Sequence, residues 1–199
     1  MTTLSPNPIS RCPGEYPRLA PLIAYLDQLS SRADLDALAS LLSKLDVARG
    51  DIAPACIFGQ KGYRRNTIRA TQWYELLALC WHSGDRTPIH DHRGVSCAFR
   101  VVEGTGTEIR FRNTPSGLIC PTTTVEMPPG YVCAANDADI HEVANMQAPG
   151  QDLITLHIYS PPIRQMTTYD FTCPVPEECR ASYATTKEVG GPGGGEIPC

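Results

Sequence analysis

The chain has 199 residues, of which 42% are hydrophobic and 19% are charged, and its formal net charge is -4. This length predicts one domain whose core needs no metal or disulfide to hold it together. The acidic balance, without a stripe of Lys and Arg, argues against a protein that binds nucleic acid. No apolar run reaches the roughly 18 residues of a membrane helix. The N-terminus lacks a signal-peptide pattern, which favours the cytoplasm.

Cysteine is frequent for a cytoplasmic protein, with nine residues at positions 12, 56, 80, 97, 120, 133, 173, 179 and 199. No Cys-x-x-Cys pair occurs among them, which argues against a zinc ribbon or a thioredoxin-like motif. The odd number also fits poorly with a disulfide framework. We therefore expect most of these cysteines to be small buried residues.

The N-terminal part is predicted to be helical after an irregular lead-in at 1–17 that is rich in Pro and Ser. The segments 19–29 and 34–46 predict two amphipathic helices, and Asp34 is a plausible cap of the second one. Five leucines recur at helical spacing in that second helix: Leu35, Leu38, Leu41, Leu42 and Leu45. Gly50 and Pro54 then end the helical part.

From about residue 67, short runs rich in β-branched and aromatic residues alternate with Gly, Pro and Asn. Such runs predict strands near 67–81, 88–92, 95–103, 106–112, 118–126, 131–134, 140–146, 152–160 and 167–172. Many short strands with frequent turns are typical of a small all-β barrel or sandwich. The tail at 186–199 contains Gly-Gly-Pro-Gly-Gly-Gly and is expected to be disordered.

A candidate metal site is centred on His90 and His92, which stand two residues apart in a predicted strand. Side chains at positions i and i+2 of a strand lie on the same face, so both imidazoles can reach one metal ion. Asp91 lies between them, faces the other way and is not expected to be a ligand. The pair alone is a weak signal, because two ordinary histidines give the same pattern.

The surroundings of this pair resemble the two motifs of the cupin superfamily. Gly84 lies six residues before His90, and Gly104 follows the next predicted strand. Downstream, Pro128-Pro129-Gly130 precedes His141, and Asn145 lies four residues after it. The resemblance makes His141 the third metal ligand.

Cys97 stands where a cupin usually carries its ligand glutamate. Without that carboxylate, three neutral histidines leave the full charge of a divalent metal on the site. An anionic ligand such as a thiolate then binds well and loses its proton easily on coordination. The ligand set therefore hints at a thiol substrate.

Further stretches resemble the cysteine dioxygenase family, cupin iron enzymes that oxidise L-cysteine to cysteine sulfinate with O2. The matching stretches are Tyr63-Arg64-Arg65-Asn66, Leu79-Cys80-Trp81, Ile89-His90-Asp91-His92, Ser96-Cys97, Ile140-His141-Glu142-Val143 and Leu156-His157-Ile158-Tyr159-Ser160-Pro161-Pro162. The resemblance implies a mainly β fold, a small jelly-roll-like cupin barrel preceded by two or three N-terminal α-helices. We accordingly divide the chain into a helical lead-in at 1–59, a catalytic barrel at 60–185 and the tail at 186–199.

The resemblance also implies the chemistry of the metal and of the substrate pocket. It implies a mononuclear Fe(II) held by the three histidines, with no organic cofactor. Arg65 is expected to hold the substrate carboxylate through its bidentate guanidinium, and Tyr63 is expected to support the same end of the pocket. Tyr159 is expected to place its hydroxyl near the thiolate and dioxygen. His157 is then expected to hydrogen-bond Tyr159 from behind.

Cys97 has a second expected role, because some members of the family carry a thioether cross-link between a cysteine at this position and the tyrosine. We therefore predict a Cys97–Tyr159 cross-link. Ser160-Pro161 matches a position that the family associates with a cis peptide. The resemblance further implies L-cysteine and O2 as the molecules bound, a place in cysteine catabolism and taurine biosynthesis, and a cytoplasmic monomer.

Two alternatives remain open at this point. The first is a dioxygenase for another small thiol such as 3-mercaptopropionate, although such relatives tend to lack the equivalents of Arg65 and Cys97. The second belongs to a different class of protein. A non-catalytic cupin that holds zinc also fits, because three histidines and one water suit Zn(II).

Overall fold

The computed structural model describes residues 15–92, 94–115, 118–135, 139–172 and 180–188. Its first part is helical, as the sequence predicts. Helix α1 spans Ala20–Leu26 and helix α2 spans Leu35–Ser43, with short 3-10 helices at Pro17–Leu19 and Arg49–Ala55. The carboxylate of Asp34 accepts a hydrogen bond of 2.9 Å from the Ala37 amide, which confirms it as the cap of α2.

The described residues then form eleven strands in two antiparallel sheets. The strands are β1 Arg64–Ala70, β2 Glu75–Trp81, β3 Ile89–Asp91, β4 Ser96–Glu103, β5 Gly106–Asn113, β6 Ile119–Met127, β7 Val132–Ala135, β8 Ile140–Ala144, β9 Leu153–Ser160, β10 Gln165–Thr172 and β11 Arg180–Glu188. One sheet has the order β1-β2-β9-β4-β7, and the other has the order β11-β10-β3-β8-β5-β6. This two-sheet arrangement confirms the predicted mainly β, jelly-roll-like barrel with helices before it.

The prediction of one continuous strand at 67–81 was wrong, because a tight turn separates β1 from β2. The Thr71 amide donates a hydrogen bond of 2.9 Å to the carbonyl of Tyr74. The hydroxyl of Thr71 also accepts hydrogen bonds from the amides of Trp73 and Tyr74, at 3.1 and 3.3 Å. A side chain that bonds to the backbone ahead of it favours a turn over a continued strand.

At the two ends of the chain, the predictions can be compared with the structure only in part. Strand β11 has no counterpart among the predicted strands, and its residues 186–188 overlap the start of the predicted tail. The remainder of that tail, 189–199, and residues 1–14 of the predicted lead-in lie outside the described residues. The division into lead-in, barrel and tail therefore stays a prediction. No helix in the described part of the chain is long and apolar enough to cross a membrane.

Strand β2 separates two layers of buried residues, because every one of its residues is buried. Leu76, Ala78 and Cys80 belong to a core that includes residues of α1 and α2. Leu77, Leu79 and Trp81 alternate with them and belong to a second core, between the two sheets. The alternation follows from the pleat of the strand. The helical layer therefore packs on the outside of the barrel, and the candidate site lies inside it.

Candidate metal centre

The structure brings together the three histidines that the sequence singled out. Nitrogens of His90, His92 and His141 all lie within 4.8 Å of one another, and all three residues are buried. Two of them meet across a strand pair, since His90 is directly opposite His141 where β3 pairs with β8. The Nε2 atoms of His90 and His92 are 2.8 Å apart. Three imidazoles from neighbouring strands therefore converge on one point inside the barrel.

Backbone carbonyls set the orientation of two of these rings. Nδ1 of His90 lies 2.8 Å from the carbonyl oxygen of Pro88, and Nδ1 of His141 lies 3.0 Å from that of Asp139. A carbonyl can only accept, so in both rings Nδ1 carries the proton and donates it. The lone pair of Nε2 is then left to face the other histidines, as a metal ligand requires.

The electrostatics of the cluster also suit metal binding. Burial lowers the pKa of His90 well below its ordinary value and lowers the pKa of His141. The pKa of His92 falls to about 3, because of burial and of the neighbouring His141 and Arg65. All three rings are therefore neutral near pH 7, which is the state that binds a metal ion.

Asp91 faces away from this centre, as the alternation of the strand predicts. Its carboxylate is buried and accepts a hydrogen bond of 2.7 Å from the hydroxyl of Tyr169. Among the described residues, the group that could hold a metal ion is thus made of histidine nitrogens, without this carboxylate.

Tyr159 and His157 form a hydrogen-bonded chain along β9. The hydroxyl of Tyr159 lies 3.1 Å from Nδ1 of His157, whose Nε2 lies 2.9 Å from the hydroxyl of Thr155. The indole of Trp81 donates a further hydrogen bond of 3.0 Å to Thr155. The ring of Tyr159 meets the ring of His92 edge-on, with 5.5 Å between centroids. Alternate residues of one strand therefore hold the tyrosine hydroxyl beside the histidine cluster.

Cys97 lies on β4 directly opposite Tyr159 on β9, and both residues are buried and line the pocket. Burial raises the pKa of Cys97 and, together with the Cys97 sulfur, raises the pKa of Tyr159. Both groups therefore keep their protons at neutral pH.

The guanidinium of Arg65 enters the same pocket from β1. It donates a hydrogen bond of 3.2 Å to the carboxylate of Glu75 and lies 5.2 Å from the centre of the Tyr159 ring. Tyr63 lines the pocket beside it and stacks on Trp81, with 4.2 Å between ring centroids. A fixed positive charge thus faces the tyrosine hydroxyl and the histidine cluster.

The comparison with known proteins decides the family. The family model described as cysteine dioxygenase type I matches residues 14–172. The chain belongs to the cysteine dioxygenase type I family. The zebrafish (Danio rerio) member named cysteine dioxygenase type 1 is 27% identical over 160 residues, covering 76% of this chain and 79% of the relative. The human relative of the same name is 25% identical over 158 residues, covering 76% of this chain and 78% of the relative.

Two solved structures also resemble the chain. A double-stranded β-helix protein from Klebsiella pneumoniae has 14% identity and a TM-score of 0.44, covering 55% of this chain and 86% of its own. A cupin superfamily protein from Desulfitobacterium hafniense has 12% identity and a TM-score of 0.42, covering 53% and 84%.

Several residues that line this pocket were given no role in it by the sequence. They are Leu79, Trp81, Thr87, Phe99, Glu108, Cys133, Val143 and Met166. The alternation of β4 offered a signal for Phe99, which lies two residues after Cys97 and stacks on His157 at 4.8 Å. Glu108 offered none, because only the pairing of β5 with β8 carries it to the pocket, where it binds Arg110 at 2.8 Å.

Proposed function

We propose that the chain is an iron-dependent dioxygenase that adds both atoms of O2 to the thiol of L-cysteine and releases cysteine sulfinate. Membership of the cysteine dioxygenase type I family supports a thiol dioxygenase, and the names of the zebrafish and human relatives support L-cysteine. The observation that carries the proposal is the presence of three convergent neutral histidines and one arginine in a single pocket.

The donor set fits Fe(II), because three imidazole lone pairs leave open positions and imidazole suits iron. We infer that His90, His92 and His141 hold this ion and that no organic cofactor takes part. Bound Fe(II) would supply the coordination positions for the thiol and dioxygen and the means of electron transfer between them.

The residues around the metal position the substrate. Arg65 binds the carboxylate of L-cysteine with the donors that Glu75 leaves available, and a guanidinium fork recognises such a group bidentately. Tyr63 braces the same end of the pocket through its stacking on Trp81. A carboxylate fixed in this way directs the thiol end of the substrate towards the histidines, an effect of orientation.

Tyr159 supplies a protonated hydroxyl beside the reacting sulfur. Its high pKa keeps the proton in place, so the hydroxyl can donate a hydrogen bond to developing negative charge. His157 acts through Tyr159 by fixing the position of that hydroxyl. Phe99 packs on the other side of His157 and limits its movement.

We also propose that Cys97 and Tyr159 become joined by a thioether bond. The bond forms between the cysteine sulfur and a ring carbon of the tyrosine, with loss of the thiol hydrogen and one ring hydrogen. The two electrons and two protons released reduce one dioxygen molecule to hydrogen peroxide. The direct opposition of the two residues across β4 and β9 supports this step.

The alternatives differ in substrate and in metal. 3-Mercaptopropionate shares a thiol and a carboxylate with L-cysteine but lacks the amine, and a zinc-holding cupin consumes no oxygen. Oxygen uptake by the iron-loaded and the zinc-loaded protein, measured with L-cysteine and with 3-mercaptopropionate, tests all three. The proposal expects uptake with iron only and a higher kcat/KM for L-cysteine. Uptake that favours 3-mercaptopropionate, or none with either thiol, contradicts it.

The same proposal extends to the setting of the reaction. It places the protein in the cytoplasm as a monomer, where its sulfinate product enters cysteine catabolism and taurine biosynthesis. Size-exclusion chromatography with light scattering tests the monomer, and a mass of twice the chain contradicts it.

A further inference from the structure

Two cysteines outside the metal pocket meet where the helical layer packs on the barrel. Cys56 follows directly after the 3-10 helix Arg49–Ala55, and Cys80 lies on the face of β2 that points towards the helices. The Cys56 thiol donates to the carbonyl of Ile52 at 3.3 Å, and the Cys80 sulfur lies 3.8 Å from the carbonyl of Ala55. The two thiols are neighbours at this junction, because the Cys80 sulfur contacts the carbonyl of the residue that precedes Cys56. Each thiol also shifts the pKa of the other.

The two thiols differ in access and in acidity. Cys56 is half-buried, whereas Cys80 is fully buried. The neighbouring Cys80 thiol and the positive charge of Arg49 lower the pKa of Cys56. The neighbouring Cys56 thiol and burial raise the pKa of Cys80. An accessible, more acidic thiol next to a buried one is the arrangement of an attacking and a resolving cysteine.

A buried amide holds the resolving cysteine in place. The side-chain nitrogen of Asn66 lies 3.6 Å from the Cys80 sulfur and donates hydrogen bonds to the carbonyls of Ile57 and Ala78, at 2.8 and 3.3 Å. It thereby ties the segment after Cys56 to strand β2. The Asn66 side chain thus contacts both Cys80 and the residue that follows Cys56, and it holds these two positions close together.

We propose that Cys56 and Cys80 are a redox-active thiol pair that closes to a disulfide on reaction with a small-molecule disulfide such as cystine. The Cys56 thiolate attacks one sulfur of the small disulfide, and the first thiol leaves. The Cys80 thiol then loses its proton and attacks the Cys56 sulfur, and the second thiol leaves. Two electrons and two protons pass from the protein to the small disulfide, which becomes two thiols.

The disulfide would act on the wall of the metal pocket without altering a metal ligand. Leu79 and Trp81, on either side of Cys80, both line the pocket. A covalent link from Cys80 to the helical layer would restrain β2 on the side opposite the pocket, and with it Leu79 and Trp81. It also stabilises the fold, because it restrains the unfolded chain between the two cysteines. The pair requires no dioxygenase activity, so it stands independently of the proposed function.

The test uses the full chain, incubated with cystine, quenched with an alkylating agent and analysed by intact mass and peptide mapping. We expect a peptide that joins Cys56 to Cys80, two fewer alkylated cysteines than in the untreated protein, reversal by dithiothreitol and a raised thermal midpoint. Cys56→Ser and Cys80→Ser should each abolish the joined peptide. Cys120→Ser is the matched control, because Cys120 is also half-buried but lies on β6 of the other sheet.

Two results would overturn the proposal. In one, Cys56 of the folded wild-type protein stays as a mixed disulfide with cysteine and no joined peptide forms. In the other, cystine treatment changes the mass of the Cys56→Ser variant by the same amount as that of the wild-type protein. That result would show that other cysteines are oxidised. A circular dichroism melt of each serine variant establishes that it is folded before its mass is interpreted.

Discussion

Cys97 and Tyr159 lie directly opposite each other in the pairing of β4 with β9, and both side chains enter the pocket of the three histidines. Opposite residues of an antiparallel pair have Cβ atoms about 5 Å apart. Phe99, the next residue of β4 on this face, is opposite His157. The register of β4 with β9 therefore places the Cys97 thiol next to the Tyr159 phenol. The same register stacks the Phe99 ring on His157.

The first prediction concerns the covalent link between these two residues. After aerobic incubation of the iron-loaded protein with L-cysteine, peptide mapping should find Cys97 joined to Tyr159 with loss of two hydrogen atoms. Cys97→Ser should abolish the link. Cys133→Ser is the control, because Cys133 lines the same pocket but lies opposite Phe99, and this variant should keep the link. Unmodified Cys97 and Tyr159 after many turnovers would contradict the prediction.

The second prediction concerns recognition of the carboxylate. Arg65→Lys keeps the charge but loses the guanidinium fork, so kcat/KM for L-cysteine should fall about 10–100-fold, the value of a charge-assisted hydrogen bond. Arg64→Lys is the matched control, because Arg64 is the preceding residue of β1 and does not line the pocket. Oxygen uptake measures both. Equal effects of the two substitutions would show that Arg65 does not contact the substrate.

The third prediction follows from the buried histidines. Burial lowers the pKa of His90, His92, His141 and His157, so the folded protein keeps them neutral. The unfolded chain protonates them below about pH 6.5. Their stabilisation is thus fully present above that pH and is lost as the pH falls towards the lowered values, about 3 for His92.

Denaturant unfolding of the chelator-treated protein should therefore show a midpoint that declines steadily from pH 7 to pH 5. His157→Gln should make the decline shallower, because one fewer proton is taken up on unfolding. A midpoint that stays level over this range would mean that these rings are already protonated in the fold.

The fourth prediction concerns the glycine at the end of β4. Gly104 has a φ of 76°, and a Cβ there would collide with the carbonyl oxygen of Asp152. Gly84→Ala is a matched control, because Gly84 has a φ of 92° but open space around it. It should cost only the strain of the left-handed backbone, about 1–2 kcal/mol. Gly104→Ala should lower the free energy of unfolding by clearly more, and equal losses would contradict the clash.

The sequence predicted those parts of the site that depend on the period of a strand. His90 and His92 share a face because they are two residues apart, and the same rule pairs His157 with Tyr159. The opposition of Cys97 to Tyr159 did not follow from period, and only the family resemblance suggested it. Strand register over 62 residues of chain is a tertiary property that local patterns do not contain.

Contacts between different structural elements could not be predicted from the local patterns of the sequence. Glu75 binds Arg65 although the pairing of β1 with β2 places Arg65 opposite Leu79, and the turn between these two strands was missed. The meeting of Cys56 with Cys80 depends on how the helical layer docks on β2. In both cases the partner lies on a different element, so neither charge pattern nor spacing could identify it.

The most direct test of the central claim is product analysis with isotopically labelled dioxygen. The iron-loaded protein is incubated with L-cysteine under labelled O2, and the product is identified by mass spectrometry. The account predicts cysteine sulfinate that carries two labelled oxygen atoms per molecule, with none incorporated from water. Cystine as the main product, or a sulfinate with a single labelled oxygen, would contradict a dioxygenase at the three-histidine site.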